Sequence, residues 1–352
     1  MSITLASTGF DSTIRLWSVT DHTEEHKFHI QGKSQINCLA LSEEQDFLVA
    51  GGASAIYKIM LYEYDKAIET FQHHSGNVTD VKFYPRSQFV ISSSEDGTVK
   101  FWNFQDRTIP TTFDLQTPVN CVCVLPVYGI VVAGTSDGRI HIINLKSSEV
   151  SHVINVKLGV SVQSISATSD GVLVFVGMRD GEVLVFSTIS QEDEHFLPYI
   201  SIPTHQRKDE SDMLPLLMKP RIPTPDIDVC DSGWILHTRF KPHKKYLLKV
   251  CVCPLNMYFA TASADCTAKV YNILDGLKPV NTFVGHRDWV FDVEFNSNSE
   301  FIVTGSSDCC VNVYDLESDT AILSFQGHEK PVTSIIINDV TAEEEDSDTE
   351  SF

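Results

Sequence analysis

The chain has 352 residues, 42% hydrophobic and 21% charged, the balance of a soluble globular protein with ample material for a large core. Its formal charge of −21 argues against nucleic acid and anionic membranes as direct partners, because both demand basic surface. The one short basic patch is 241–245. No apolar run reaches the roughly 18 residues of a spanning helix, and residues 1–5 lack the basic and apolar regions of a signal peptide, so a cytoplasmic protein without membrane insertion is expected.

In chain order, one unit keeps returning: a strand, a turn carrying aspartate, and a second strand ending in an aromatic or aliphatic residue. It occupies 5–17, 91–102, 131–143, 174–186, 259–271 and 301–314. The turn aspartates are Asp11, Asp96, Asp137, Asp180, Asp265 and Asp308, and a degenerate copy at 48–62 lacks one. A second, alternating strand precedes these units, opening at residues 35, 77, 118, 161, 246, 289 and 331. The steps are 42, 41, 43, 85, 43 and 42 residues. Alternation marks half-buried strands, and a period near 42 with Gly-His signatures points to blades of a WD-repeat β-propeller. The fold expected is all-β with seven blades.

The step of 85 residues contains no further blade, because prolines crowd 198–242 and proline cannot donate to a sheet ladder. An insertion is expected at about 191–240, projecting from a propeller that spans 1–340. The acidic stretch 341–352 has too little apolar content to pack and reads as a disordered tail, in which Ser347 and Thr349 suit an acidophilic kinase. The chain starts on an aspartate-turn unit and finishes on an opening strand. Those two halves should pair into one composite blade that closes the ring.

His73-His74, Gly285-His286 and Gly327-His328 precede opening strands, where a histidine can bond the turn aspartate. Catalytic groups occur once, whereas these recur with the blade, so a structural role is expected and no catalytic residue is assigned. There is no P-loop, GxSxG or HExxH, and no cofactor is implied. Of the nine cysteines, Cys121/Cys123 and Cys251/Cys253 stand two apart on a strand face. A metal is conceivable there, but without a CxxC or Cys/His quartet they read as small buried hydrophobes, with no metal expected.

Repeats allow one position to be compared across blades. The first and third residues of the opening strands are Gln35/Asn37, Asn77/Thr79, Pro118/Asn120, Ser161/Gln163, Tyr246/Leu248, Trp289/Phe291 and Pro331/Thr333. Most are small or polar. Tyr246, Leu248, Trp289 and Phe291 break the pattern in two adjacent blades and suggest a partner-binding patch on one rim, since rings bury much area at low entropy cost. The competing reading is that they pack beneath the insertion.

The ordered set 76–102, 118–126, 260–271 and 285–308, with the opening ASTGFDSTIRLW and the closing QGHEKPVTSIIIND, resembles the propeller subunit of TOR kinase complexes, the lethal-with-SEC-thirteen or GβL family. The resemblance implies a noncatalytic scaffold. It would dock, itself monomeric, on the C-terminal lobe of a TOR-type kinase beside other TOR-complex subunits, peripheral to endomembranes through its complex. It assigns Gln35, Asn37, Trp289 and Phe291 to that contact. The alternative is a WD-repeat adaptor of another kind, such as a ubiquitin-ligase substrate receptor or a trafficking-coat component. The long 191–240 segment and the acidic tail depart from the family pattern.

Overall fold

The computed structural model describes residues 4–29, 35–42, 47–60, 69–103, 110–188, 228–229, 233–318 and 320–339. Seven antiparallel sheets stand around a common axis. Each opens on an inner strand: Ile36–Leu41, Val78–Phe83, Val119–Leu125, Val162–Ala167, Leu247–Val252, Val290–Phe295 and Val332–Asn338. We number the blades one to seven in that order. The inner strands contact one another in sequence and the seventh returns to the first, so the ring is closed.

Within a blade, alternate side chains face opposite neighbours, as the two-residue period of a strand requires. In blade two, Val90 packs toward Cys38, Val49 and Val81, while the next residue, Ile91, packs toward Val122 and Ala133 of blade three. Both are fully buried. Burial on both sheet faces explains the near-continuous apolar runs of the second strands, and each such side chain contributes about 1.5–3 kcal/mol.

Blade seven joins the two ends of the chain. Val332–Asn338 pairs antiparallel with Thr4–Gly9, from Thr4↔Asn338 to Gly9↔Val332, and Thr13–Ser18 and Thr23–His29 complete the sheet. The composite blade expected from the offset repeats is thus present.

The insertion is shorter than expected at its C-terminal end. Ile235–Phe240 is the fourth strand of blade four, running from Ser187↔Ile235 to Val183↔Phe240, and Asp228–Val229 adds to its outer edge. The proline density that rules out a ladder stops at Pro225, and the alternating stretch after Gly233 contains none before Pro242. Residues 189–227, 230–232 and 340–352, with Ser347 and Thr349, lie outside the described residues.

Two sets of hydrogen bonds fix neighbouring inner strands. At the fourth position, Asp80 Oδ2 accepts from Val122 N (3.1 Å), Ser164 Oγ from Val250 N (3.1 Å), Asp292 Oδ2 from Ile335 N (2.9 Å) and Ser334 Oγ from Leu39 N (3.2 Å). At the third position, Asn37 Nδ2 donates to the Val78 carbonyl (2.8 Å), Thr79 Oγ1 to Val119 (2.7 Å), Asn120 Nδ2 to Val162 (2.8 Å) and Thr333 Oγ1 to Ile36 (2.7 Å). Each bond crosses from one blade to the next, so the third position acts as a clasp.

Candidate functional site

The aspartate turns and the first residues of the inner strands share one rim. The turn residues Phe10, Glu95, Ser136, Arg179, Ala264 and Ser307 donate their backbone N–H to the carbonyls of Pro331, Asn77, Pro118, Ser161, Tyr246 and Trp289. Four of the turn aspartates also bind a histidine through its Nδ1. The pairs are Asp96–His74 at 3.0 Å, Asp265–His243 at 2.8 Å, Asp308–His286 at 3.0 Å and Asp11–His328 at 2.9 Å. A carboxylate can only accept, so Nδ1 donates in each. Nε2 meets a hydroxyl on the neighbouring strand: Ser92, Thr261, Thr304 and Ser7 respectively, at 2.7–2.8 Å.

These groups are spent on one another. Burial lowers the His74 and His243 imidazoles despite the adjacent carboxylates. Burial would raise Asp308, yet the bonds from His286 and the Arg287 backbone hold it at about 2. Burial would likewise raise Asp11, and the bonds from His328 and Thr13 outweigh it. The repeated, mutually satisfied arrangement locks turns to strands. Asp137 and Asp180 lack a histidine and face cations instead, Arg139 at 3.1 Å and Lys157 at 2.5 Å.

Two details extend the sequence reading. Blade seven carries the same histidine, hydroxyl, aspartate and tryptophan set as His74, Ser92, Asp96 and Trp102 of blade two, but split between the termini: His328, Ser7, Asp11 and Trp17, whose Nε1 donates to Ser7 Oγ at 2.7 Å. His243 escaped notice because proline, not glycine, precedes it; its spacing of 22 residues from Asp265 matches that of His74–Asp96 and His286–Asp308. The paired cysteines are buried, and burial pushes the Cys123 thiol up to about 12 and the Cys121 and Cys251 thiols well above their ordinary value.

The rim column comes together as an arc over blades five, six and seven. Tyr246 and Trp289 meet edge to face at 6.2 Å between centroids, and Trp289 lies 6.3 Å from Phe291. Phe291 meets Phe10 of blade seven, also at 6.3 Å. Phe10 precedes a turn aspartate and so fell outside the compared column. Tyr246 and Trp289 remain 46% and 40% exposed, enough ring surface to bind against. Leu248 joins them in lining an open funnel of about 580 Å³ at the mouth of the ring.

Leu248 and Phe291 occupy the clasp position, and neither side chain can donate a hydrogen bond. The ring therefore forgoes its own blade-to-blade bond where apolar surface is presented. Asn37, also assigned to the patch, uses its amide in the clasp to Val78, and Gln35 lies at the start of the same strand. The insertion leaves from the other end of blade four. Thr188 and Val229 stand beside Leu173 and Ile235, a strand length from the Gly181 turn that abuts Lys245. The roots of the insertion are thus on the face opposite Tyr246.

A closed ring of seven four-stranded blades with recurring His–Asp turns defines a WD-repeat β-propeller protein. The WD domain, G-beta repeat family matches residues 65–103, 233–272 and 277–315. Within that class, the chain is similar to target of rapamycin complex subunits. It is 29% identical to target of rapamycin complex subunit LST8 of Saccharomyces cerevisiae over 348 residues, covering 97% of this chain and 100% of the relative. Target of rapamycin complex subunit wat1 of Schizosaccharomyces pombe is 26% identical, covering 78% of this chain and 76% of that one. The LST8 subunit of Bos taurus is 24% identical, covering 96% and 95%.

Proposed function

We propose that the chain is a noncatalytic scaffold subunit of a target of rapamycin complex, which docks on the kinase and stabilises its kinase domain. The docking surface is the arc Tyr246, Leu248, Trp289 and Phe291, extended by Phe10 and by Gln35 and Asn37, and the lobe it meets is the C-terminal one. One observation carries this site: the donors that clasp blades one, two, three and seven are replaced in two adjacent blades by the half-buried apolar side chains Leu248 and Phe291, beside the exposed rings of Tyr246 and Trp289. Rings preorganised on a rigid rim lose little entropy on association, which suits an interface anchor. The His–Asp pairs are engaged with hydroxyls in four separate blades, which favours a scaffold over an enzyme. A net charge of −21 suits protein partners better than nucleic acid. Among the described residues no helix is long and apolar enough to cross a membrane. The proposed complex is one in the cytoplasm or peripheral to endomembranes.

The test is affinity purification of the tagged chain from its own cells, with mass spectrometry of what accompanies it. Stoichiometric recovery of a TOR-type kinase is expected, and its loss in the Trp289→Ala, Phe291→Ala double variant, with the melting transition retained. A kinase that stays bound to the double variant moves the site elsewhere. Another complex in its place, a ubiquitin ligase or a trafficking coat, replaces the function.

A further inference from the structure

The basic side chains beside Tyr246 supply no ion pair to the ring. Lys241, Lys244 and Lys245 are exposed, as is Arg179 on the adjoining turn of blade four. None of the four forms an ion pair within 4.0 Å with any described carboxylate. The neighbouring acids have other partners: Lys157 bridges Asp180 and Glu182, and Asp265 holds His243. The Arg179 guanidinium lies 5.1 Å from the Tyr246 ring centroid, so positive charge directly borders the aromatic arc. Glu95 and Asp288 lie in the same sector, each engaged by a neutral donor. Glu95 accepts from Asn77 Nδ2 at 2.8 Å, and Asp288 accepts the Trp289 backbone N–H at 2.8 Å.

Building on the docking reading above, we infer that the partner segment received here is an acidic peptide with an apolar anchor. The anchor lies against Leu248 and Trp289 at the mouth of the funnel, and flanking carboxylates meet Arg179, Lys244 and Lys245. Clustered unpaired cations on a chain of charge −21 oppose the overall field, and only a partner with the matching local charge benefits from them. Ring surface alone would accept any apolar segment; the cations select among them. A nucleic-acid strand fits less well, because a long polyanion also meets the acidic remainder of the surface. The chain's own acidic stretch 341–352 fits less well too. It follows Asn338, which pairs with Thr4, whereas Val332 pairs with Gly9 at the docking rim, so its root is at the far end of the strand.

The experiment uses the full chain and fluorescence anisotropy. Two labelled peptides share one Phe-Leu core, flanked in one by glutamates and in the other by lysines. A labelled oligothymidine of similar length is the third probe. The glutamate peptide should bind at least about tenfold tighter than the lysine peptide, weakening as salt rises past the point where the screening length falls below about 10 Å. The Lys244→Glu, Lys245→Glu double variant should erase that preference without moving the melting temperature, since both side chains are exposed. Trp289→Ala should weaken both peptides alike. Equal binding of the two peptides, or a preference that survives the charge reversal, overturns the acidic assignment while kinase recovery in the preceding experiment still tests the docking rim. Tighter binding of oligothymidine overturns it in favour of nucleic acid. A large gain in peptide affinity on deleting 341–352 overturns it in favour of the chain's own tail.

Discussion

Ser7 Oγ lies 2.8 Å from Nε2 of His328, although 321 residues separate the two in the chain. Ser7 also accepts from Trp17, and His328 reaches Asp11, so the two termini share one buried polar network. The same network in blade two is local, with only 18 residues between His74 and Ser92. In blade seven it closes the ring.

His328→Ala should therefore destabilise more than loss of a surface histidine. It removes the imidazole that Ser7 and Asp11 share, leaving Ser7 with Trp17 and Asp11 with Thr13 and the Glu329 backbone, a loss of about 1–3 kcal/mol. Ser7→Ala should lose a similar amount, and the double variant less than the sum, because both remove one network. Removing everything after Gln326 deletes the inner strand of blade seven and should abolish the cooperative transition. Thermal melts followed by circular dichroism check all four chains, and a truncated chain that melts like the full one contradicts the closure mechanism.

Acidification should destabilise the ring in two stages. His74 and His243 sit below their ordinary 6.5 in the folded chain, and Asp308 sits at about 2 against an ordinary 3.8. Each of these groups binds fewer protons folded than unfolded, so stability is complete above about pH 6.5 and declines as pH falls. The histidines act first, just below pH 6.5, and the aspartates from about pH 4 downward. Melting temperatures between pH 8 and pH 3 should show this order, with His243→Gln flattening the upper stage. A constant melting temperature from pH 7.5 to 5 would rule out the histidine contribution.

The clasp can be exchanged for apolar surface and back. Asn37→Ala should cost about 1 kcal/mol by removing the bond to Val78. Leu248→Asn places the donor used in blades one and three at the same position of blade five. That variant should keep its melting temperature and lose kinase recovery. Retained recovery would show that Leu248 is not an anchor.

Gly138 and Gly97 hold the same turn position, at φ of +90° and +83°, yet they should respond differently to alanine. A methyl on Gly138 would collide with the Lys157 carbonyl, which is backbone and cannot swing away, whereas on Gly97 the nearest atom is Thr117 N at 3.3 Å. Gly97→Ala should cost about 1 kcal/mol, the ordinary left-handed penalty. Gly138→Ala should cost at least twice that. Cys266 and Cys309, at φ of +71° and +68°, are evidence that side chains are tolerated at this position where the neighbouring backbone stands clear. Urea denaturation of the two variants ranks them, and an equal loss would point to the φ penalty alone.

The sequence by itself determined the number of blades, the offset termini and the aspartate turns, because each depends on local patterning repeated every 42 or so residues. It also exposed Tyr246, Leu248, Trp289 and Phe291 as departures from a column. The end of the insertion was misread, since proline density marks where a ladder cannot run and says little about where the next strand resumes. Only the tertiary structure joined Ser7 to His328, brought Phe10 against Phe291, and set Arg179 of blade four over Tyr246 of blade five. These contacts form between blades, and their geometry follows from the closure and curvature of the ring. Asn37 illustrates the division. Its position on the rim was legible from spacing, but its bond to Val78 depends on how closely the next blade packs.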